Sequence, residues 1–319
     1  MLNHKKISVV VPAHNEQKMI SRVIDEMPKF VDVIIIVDDQ SKDKTVSNAL
    51  TAAKKTKIKI DILKHVHNKG VGASIVSGYK RAIESKMDVV AVMAGDAQMD
   101  PVELKDLCLP IVEGEADYTK GNRLIYGQAW EMMPKVRYLG NSVLSLLTKI
   151  ASGYWHVADS QTGYTAVSCE ILKLIDLDNL YQRYGFPNDL LVHLNIARAR
   201  VKEIMIKPIY HNGGKSGIRL WKVIPTISWL LIRRFFWRLK KKYIIDDFHP
   251  LVFFYSFSFI LTLANIYLLV RLIYLTVSHG SIPPINALAL GFSVIMASQF
   301  AFFGMWLDMD DNKDLKVRD

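Results

Sequence analysis

The residues best placed to do chemistry lie in Val89–Pro101, VVAVMAGDAQMDP. An apolar run from Val89 to Met93 breaks at Gly95 into an acid, an amide and a second acid: Asp96, Gln98 and Asp100. Asp100 can cap a following helix whose first position is Pro101. Asp96 and Gln98 are therefore expected just beyond the carboxyl end of a buried strand, where open α/β sheets bind ligands. A carboxylate and an amide oxygen at this spacing suit a hard divalent cation that also holds phosphates. Taken alone, Asp96 is equally well explained as an ordinary turn residue; the rest of the chain shifts that balance.

Other polar turns fall at predicted strand ends. Ile7–Val11 is short and β-branched and runs into Pro12-Ala13-His14-Asn15-Glu16. Val31–Val37 is followed by Asp38, Asp39 and a polar run to Thr45, and Ile58–Leu63 leads to Asn68-Lys69-Gly70-Val71-Gly72-Ala73, a glycine turn feeding a helix to about Ser85. A fifth strand is expected over Asp117–Gly121, ending in Asn122-Arg123. Strand and helix alternate, which predicts an α/β fold with a parallel sheet and right-handed crossovers. The turns then gather along one sheet edge. Carboxylates there can take ribose hydroxyls, glycines permit close backbone approach, and a cation can neutralise a diphosphate. NKGVGA is not G-x-G-x-x-G and the chain has no Walker A sequence, so the combination of turns carries the signal.

Beyond about residue 130 the alternation loosens. Lys135–Ala151 reads as an amphipathic helix with Arg137 and Asn141 one turn apart on one face. Asp159–Ser168 reads as a loop and strand, Asn188–Arg200 as a helix, Val201–Ile209 as a strand, and His211–Gly217 as a mobile loop by composition.

The chain has 319 residues, 50% of them hydrophobic, and a formal net charge of +10. That suffices for one large α/β domain and an additional element. Its two cysteines, Cys108 and Cys169, form no metal-spaced pattern and read as reduced core residues of a cytosolic domain. Ile7–Val11 is too short for a signal peptide. Much of the positive charge sits beside apolar sequence. Arg219–Lys242 mixes Trp221, Trp229, Phe235, Phe236 and Trp237 with Arg233, Arg234, Arg238 and Lys240–Lys242, which suits a helix lying among lipid headgroups. Leu251–Val270 and Ile285–Leu307 then run uncharged for about 20 and about 23 residues, each long enough to span a bilayer. The basic flank predicts that the N-terminal domain and both termini lie in the cytoplasm. The expected layout is a domain over 1–218, an interfacial helix and linker over 219–248, a transmembrane hairpin over 249–308 and a tail over 309–319. Nucleic acid is disfavoured, because the basic cluster abuts a span and the sheet-edge turns are acidic.

Taken in order, VVVPAHNE, IIIVDDQSKDKT, NKGVGAS, VMAGDAQMDP, GNR and the late GGKSG loop resemble the family 2 glycosyltransferases of GT-A fold, with their Rossmann-like nucleotide-diphospho-sugar transferase sheet. Within that family the resemblance is to the polyprenyl-phosphate glycosyltransferases, the dolichyl-phosphate mannose synthase group and its bacterial glucosyl counterparts. It covers roughly residues 5–220, and a C-terminal pair of spans is typical of several members. The resemblance implies a membrane-bound inverting enzyme that moves a sugar from a UDP- or GDP-sugar to a polyprenyl phosphate with Mg²⁺ or Mn²⁺. It implies that Pro12, Ala13, Asn15, Glu16, Asp38 and Asp39 line the base and ribose pocket, with Lys69 near the nucleotide. Asp96 corresponds to the last acid of the family's D-x-D and Gln98 to a glutamine sharing the metal. Arg123 and Arg137 would grip the acceptor phosphate beside Asn141, and Lys215 would close over the donor diphosphate. One departure stands out: the D-x-D reads Ala94-Gly95-Asp96, so its first acid is missing and metal binding without donor is expected to be weak.

An anionic phosphate acceptor needs no general base, only positioning. A rival reading keeps the fold but gives it a hydroxyl acceptor, with Asp189 as the base such an acceptor requires. Another makes the chain a membrane-anchored nucleotide-sugar-binding protein without turnover. Homo-oligomerisation stays open. His65 and His67 lack an evident third zinc ligand, and Tyr154, Trp155 and His156 read as a core or interface cluster.

Overall fold

The structure, a computed structural model, describes residues 1–127, 135–209 and 220–317. Seven strands, β1 (Ile7–Ala13), β2 (Val33–Asp38), β3 (Lys59–Lys64), β4 (Val89–Val92), β5 (Tyr118–Asn122), β6 (Thr165–Ser168) and β7 (Val201–Met205), form one sheet in the order β3-β2-β1-β4-β6-β5-β7. The helices are α1 (Ile20–Asp25), α2 (Thr45–Ala53), α3 (Val71–Glu84), α4 (Leu104–Val112), α5 (Lys135–Ser152), α6 (Cys169–Leu172), α7 (Phe186–Ile196), α8 (Leu220–Lys240), α9 (Leu251–His279) and α10 (Pro284–Asp311). Before α4, Asp100 caps a 3-10 turn over Pro101–Glu103 by accepting from the Val102 N–H at 2.9 Å, as its sequence predicts.

The β-branched runs are buried on both faces. Val10, Ile35, Val37, Val90 and Val92 pack in one layer with Ile75 and Tyr79 of α3 and Leu190 and Leu191 of α7. Val9, Val11, Ile34, Ile36 and Ala91 face the other way, against Ile20, Val23 and Ile24 of α1 and Leu104 and Leu107 of α4. Two-sided burial is why these strands read as continuous apolar runs. Gly78 lets α3 close onto β1: a Cβ there would lie 2.3 Å from Val10 Cγ1.

The five strands expected to be parallel, β1 to β5, do run in one direction, and the sheet as a whole is mixed. β3, β2, β1 and β4 are parallel, but β6 runs antiparallel to both β4 and β5, with Val167 facing Val90 and Tyr118. β7 then pairs parallel to β5. β6 has four residues. Buried on both faces, so short a segment carries no pattern that distinguishes its direction; the route of the preceding loop sets it. In the parallel half, β1 connects to β2 on one side while β4 pairs on the other. That reversal opens a crevice between the carboxyl ends of β1 and β4, the usual ligand position in such sheets.

The chain divides into two compact units, Met1–Phe235 with Asp314–Asp319, and Phe236–Lys313. In the first, α8 packs Ile227 and Leu231 against Leu144 and Ala151 of α5, and the chain end returns to β7, where the Val317 N–H donates to Val201 O at 3.3 Å. In the second, α9 and α10, 29 and 28 residues long, are each long and apolar enough to cross a membrane. At ~1.5 Å per residue they exceed the ~30 Å hydrocarbon core. Ser258 Oγ donates to Ala297 O at 2.9 Å, and Gly304 lets the Tyr255 ring approach. At one end, Asp308 takes both guanidinium nitrogens of Arg238 at 2.8 and 2.9 Å and the Tyr243 hydroxyl at 2.7 Å. Lys242 donates to Asn312 Oδ1 at 2.6 Å.

Candidate active site

A cavity of about 340 Å³ opens in the crevice between β1 and β4. Pro12, Ala13 and Glu16 line it from the end of β1, Asp39 from the end of β2, Asn68 and Gly70 from the turn before α3, and Ala94, Gly95 and Asp96 from the end of β4. A second cavity of about 90 Å³ lies beside it, lined by Asp96, Gln98, Arg123, Thr162 and Lys207 among others. Asp96 belongs to both walls.

At one end of the larger cavity, Asp39 is almost fully buried. Its carboxylate accepts from His65 Nδ1 at 2.8 Å and from the Lys69 and Gly70 N–H groups at 2.9 and 2.8 Å. Burial pushes its pKa up, but these three donors outweigh burial and hold it below the usual carboxylate range. His65, discounted above as a zinc ligand, thus holds Asp39, and its Nε2 lies 3.0 Å from Ser77 Oγ. The two glycines of the turn do different work. Gly70 has φ of +100° and gives its N–H to Asp39, while a Cβ on Gly72 would meet Tyr181 O at 2.4 Å. The turn is packed against the 181–182 backbone, where Ala73 N donates to Gln182 O at 3.1 Å, and this brings Arg183 and Tyr184 to the cavity.

At the other end, Glu16 faces Asp96. Burial, then the Asp96 charge and then that of Asp43, raise the Glu16 carboxyl to about 7. Asp96 Oδ1 accepts the Gln98 N–H at 3.1 Å, and Gln98 itself lines only the smaller cavity. Among the described residues no three His, Cys, Asp or Glu side chains converge into a self-sufficient metal cage. The donor set is all oxygen, carries mutually repelling carboxylates and is incomplete without a ligand. This fits a hard cation that shares its coordination with phosphates and waters.

In the smaller cavity Arg123 is clamped by Asp159, Nε to Oδ2 at 2.8 Å and Nη2 to Oδ1 at 3.1 Å. Burial would raise the Asp159 carboxyl; Arg123 and Lys120 beside it bring it below the ordinary value. Lys120 is wholly buried and donates to Thr162 O at 2.6 Å. Burial lowers its ammonium to about 8 against the pull of Asp159. Glu203 closes this layer, accepting from the Ala158 N–H at 2.8 Å and from Asn122 Nδ2 at 2.7 Å.

Several sequence-predicted site residues lie elsewhere. Asp38 is buried beneath its own turn, where its carboxylate accepts the Ser41 N–H. Asn15 ties the first two turns together, accepting from Lys42 N at 2.9 Å. Lys69 reaches Asp39 through its backbone N–H, and its side chain is exposed. None of these three lines either cavity. Arg137 and Asn141 are both on α5, Asn141 half-buried; the Arg137 side chain and all of Lys215 lie outside the described residues. Asp189 is fully buried on α7. It ion-pairs with Arg234 of α8, and its Oδ2 takes the Tyr181 N–H at 2.7 Å and Arg234 Nη2 at 3.0 Å. It lines neither cavity.

Sequence reasoning missed Asp159, Lys120, His65, Arg183 and Arg234. Asp159 opens the D-S-Q-T-G-Y segment, and Lys120 is a charge inside a strand. Both were visible signals of a paired buried ion. The other three depend on contacts between distant segments.

Residues 8–175 match the family described as Glycosyl transferase family 2. The chain is 32% identical over 218 residues to the UDP-N-acetylglucosamine–dolichyl-phosphate N-acetylglucosaminyltransferase of Methanococcus voltae, covering 65% of this chain and 86% of that protein. It is 26% identical over 238 residues to the undecaprenyl-phosphate mannosyltransferase of Micrococcus luteus, covering 72% and 96%. Its fold matches the glucosyl-3-phosphoglycerate synthase of Mycobacterium tuberculosis at TM-score 0.55 and 19% identity, over 74% of this chain and 81% of that one. That synthase has also been crystallised with Mn²⁺ and UDP. The chain belongs to glycosyltransferase family 2, and is a glycosyltransferase built on the GT-A sheet.

Proposed function

We propose that this enzyme transfers a sugar from a nucleoside diphosphate to a polyprenyl phosphate at a membrane surface, with inversion at the anomeric carbon. The observation that carries the reading is Asp96 in the wall between two cavities. The larger one suits a nucleotide, with Asp39 at the base end and Glu16 and Asp96 at the phosphate end. The smaller one presents Arg123 and suits an acceptor phosphate. Arg123 is held by both its Nε and Nη2, so its orientation is fixed before substrate arrives. A guanidinium oriented in this way suits phosphate oxygens better than an ammonium would. Arg137, Asn141 and Lys215 complete the assignment, the first two at the acceptor phosphate and the third over the donor diphosphate.

Asp96 and Gln98 would hold Mg²⁺ or Mn²⁺, with Glu16 facing the same space and donor phosphates filling further positions. The cation supplies positive charge where the leaving diphosphate gathers negative charge. The acceptor phosphate is already anionic, so the protein's task is to aim it at the anomeric carbon. The pairing of Asp189 with Arg234 supports this acceptor over a hydroxyl, which would need a base.

On this reading α9 and α10 form a transmembrane hairpin, residues 219–248 lie at the headgroups, and the catalytic domain and both termini face the cytoplasm. The basic flank before α9 supports this orientation. So does the chain end, which returns to β7 through the Val201–Lys316 bridge after both helices. The test incubates membranes containing the protein with radiolabelled UDP- and GDP-sugars and Mg²⁺ or Mn²⁺, then counts label in the lipid extract. Label there, lost in Asp96→Ala, is expected. Donor binding with no transfer under any condition would instead make the protein a nucleotide-sugar-binding module.

A further inference from the structure

The hydrogen-bond inventory of Asp39 limits which base the larger cavity can accept. A carboxylate offers about four lone-pair positions, two on each oxygen. Asp39 Oδ1 already takes two donors, His65 Nδ1 at 2.8 Å and the Lys69 N–H at 2.9 Å. Oδ2 takes one, the Gly70 N–H at 2.8 Å. A single position remains, on Oδ2. The backbone carbonyl of Asp39 offers no substitute, since His14 Nδ1 lies 2.8 Å and Asn68 Nδ2 3.3 Å from it. The remaining carboxylates of the cavity, Glu16 and Asp96, are at its phosphate end.

Uracil and guanine present different edges to such a group. Uracil offers one ring N–H between two carbonyl oxygens, and one acceptor position satisfies it. Guanine offers a ring N–H with an exocyclic amine beside it, a parallel pair of donors that needs both oxygens of a carboxylate. Asp39 can meet only one of the two, so guanine cannot take the two-oxygen, charge-assisted grip that its donor pair requires, whereas uracil loses nothing. We propose that the cavity selects a uracil-bearing donor over a guanine-bearing one, and that His65 enforces the choice by filling Asp39 Oδ1. This rests on the larger cavity being the nucleotide site.

His65 is held for that task. Its ring is largely buried, with Asp39 on Nδ1 and Ser77 Oγ on Nε2 at 3.0 Å. The ionised Asp39 cannot donate, so Nδ1 carries the proton and Ser77 meets the other nitrogen. Ser77, His65 and Asp39 share the connectivity of a hydrolytic triad. Ser77 does not line the cavity, however, so the relay positions a carboxylate and activates no nucleophile.

The test is calorimetric titration of the full-length protein in detergent with UDP and with GDP, each with Mg²⁺, for the wild type, His65→Leu and His65→Asn. The wild type is expected to bind UDP roughly 10- to 100-fold more tightly than GDP. His65→Leu frees one position on Oδ1, and its UDP-to-GDP ratio should fall about tenfold. His65→Asn puts an amide N–H where Nδ1 stood and should keep the ratio near the wild-type value. GDP binding as tight as UDP in the wild type would overturn the uracil assignment and leave the nucleotide cavity standing. An unchanged ratio in a folded His65→Leu would overturn the role of His65. Binding of neither nucleotide would overturn the cavity reading together with the inference.

Discussion

Two nearly inaccessible carboxylates, Asp39 in the cavity and Asp308 at the end of the helical hairpin, are held by opposite means. Asp308 is closed by Arg238 on both oxygens, with Tyr243 and Asn312 added. Asp39 is held by an imidazole and two backbone N–H groups, which leave one acceptor position on Oδ2, and the residue lines the cavity. A bidentate arginine neutralises a buried acid and uses up its oxygens. An imidazole and two backbone N–H groups keep it ionised while leaving one of its positions open. Asp189 with Arg234 and Asp159 with Arg123 fall on the closed side. Asp96 and Glu16 fall on the open side, and they crowd each other in a way a bound cation would relieve. On the proposed function, the open carboxylates are the ones that meet substrate and the closed ones hold the structure around them.

The largest effect expected from this division is on the open side. Asp96→Ala should lower transfer about 10³-fold or more, because it removes the carboxylate shared by both cavities. Full activity in that variant would detach the chemistry from the wall between them. Asp159→Asn comes next. It leaves Arg123 in place but releases its clamp, and a misaimed guanidinium should cost about a hundredfold in kcat. The acceptor phosphate would be gripped less firmly, so its KM should rise while donor KM stays constant. A rise in donor KM instead would mean that Asp159 serves the wrong cavity.

Asp189→Asn tests the closed side directly. Breaking a buried ion pair on one side costs about 3–5 kcal/mol, since the partner's charge is left uncompensated. Denaturation should show that loss, while turnover per folded molecule changes by no more than about twofold. A folded, stable Asp189→Asn protein with no turnover would restore it as a base and require a hydroxyl acceptor.

The two sides were unequally legible in the sequence. The open carboxylates follow buried strands, and Ile34–Val37 and Val89–Met93 announce those strands by composition. The position of Asp39 and Asp96 at one sheet edge then follows from topology. Which acids are closed depends on partners 36 residues away for Asp159 and 45 for Asp189, and no local pattern encodes such pairs. The same limit hid the direction of β6 and the packing role of Gly72. It also hid the division of labour between the two adjacent acids after β2, where Asp38 holds the turn and Asp39 faces the cavity. Alternation along a strand places neighbours on opposite faces; it does not say which face carries the ligand.

The smallest expected effect comes from Glu16, the open carboxylate whose proton balance lies in the accessible range. Its folded pKa is raised from 4.5 to about 7 by burial, then by Asp96 and Asp43. The unfolded chain therefore releases this proton at lower pH than the folded one. The contribution of the protonated group is fully present below about 4.5 and is lost as pH rises through about 7. Above that, the ligand-free fold carries an ionised Glu16 facing Asp96. Glu16→Gln mimics the protonated form at every pH, so its melting temperature should match the wild type near pH 4, below the unfolded value, and exceed it at pH 8. Saturating UDP and Mg²⁺ should reverse the pH 8 difference, because the carboxylate then faces a cation that the amide cannot neutralise. An Asp308→Asn protein should show no such reversal, since a carboxylate closed by arginine has no position left for the ligand to use.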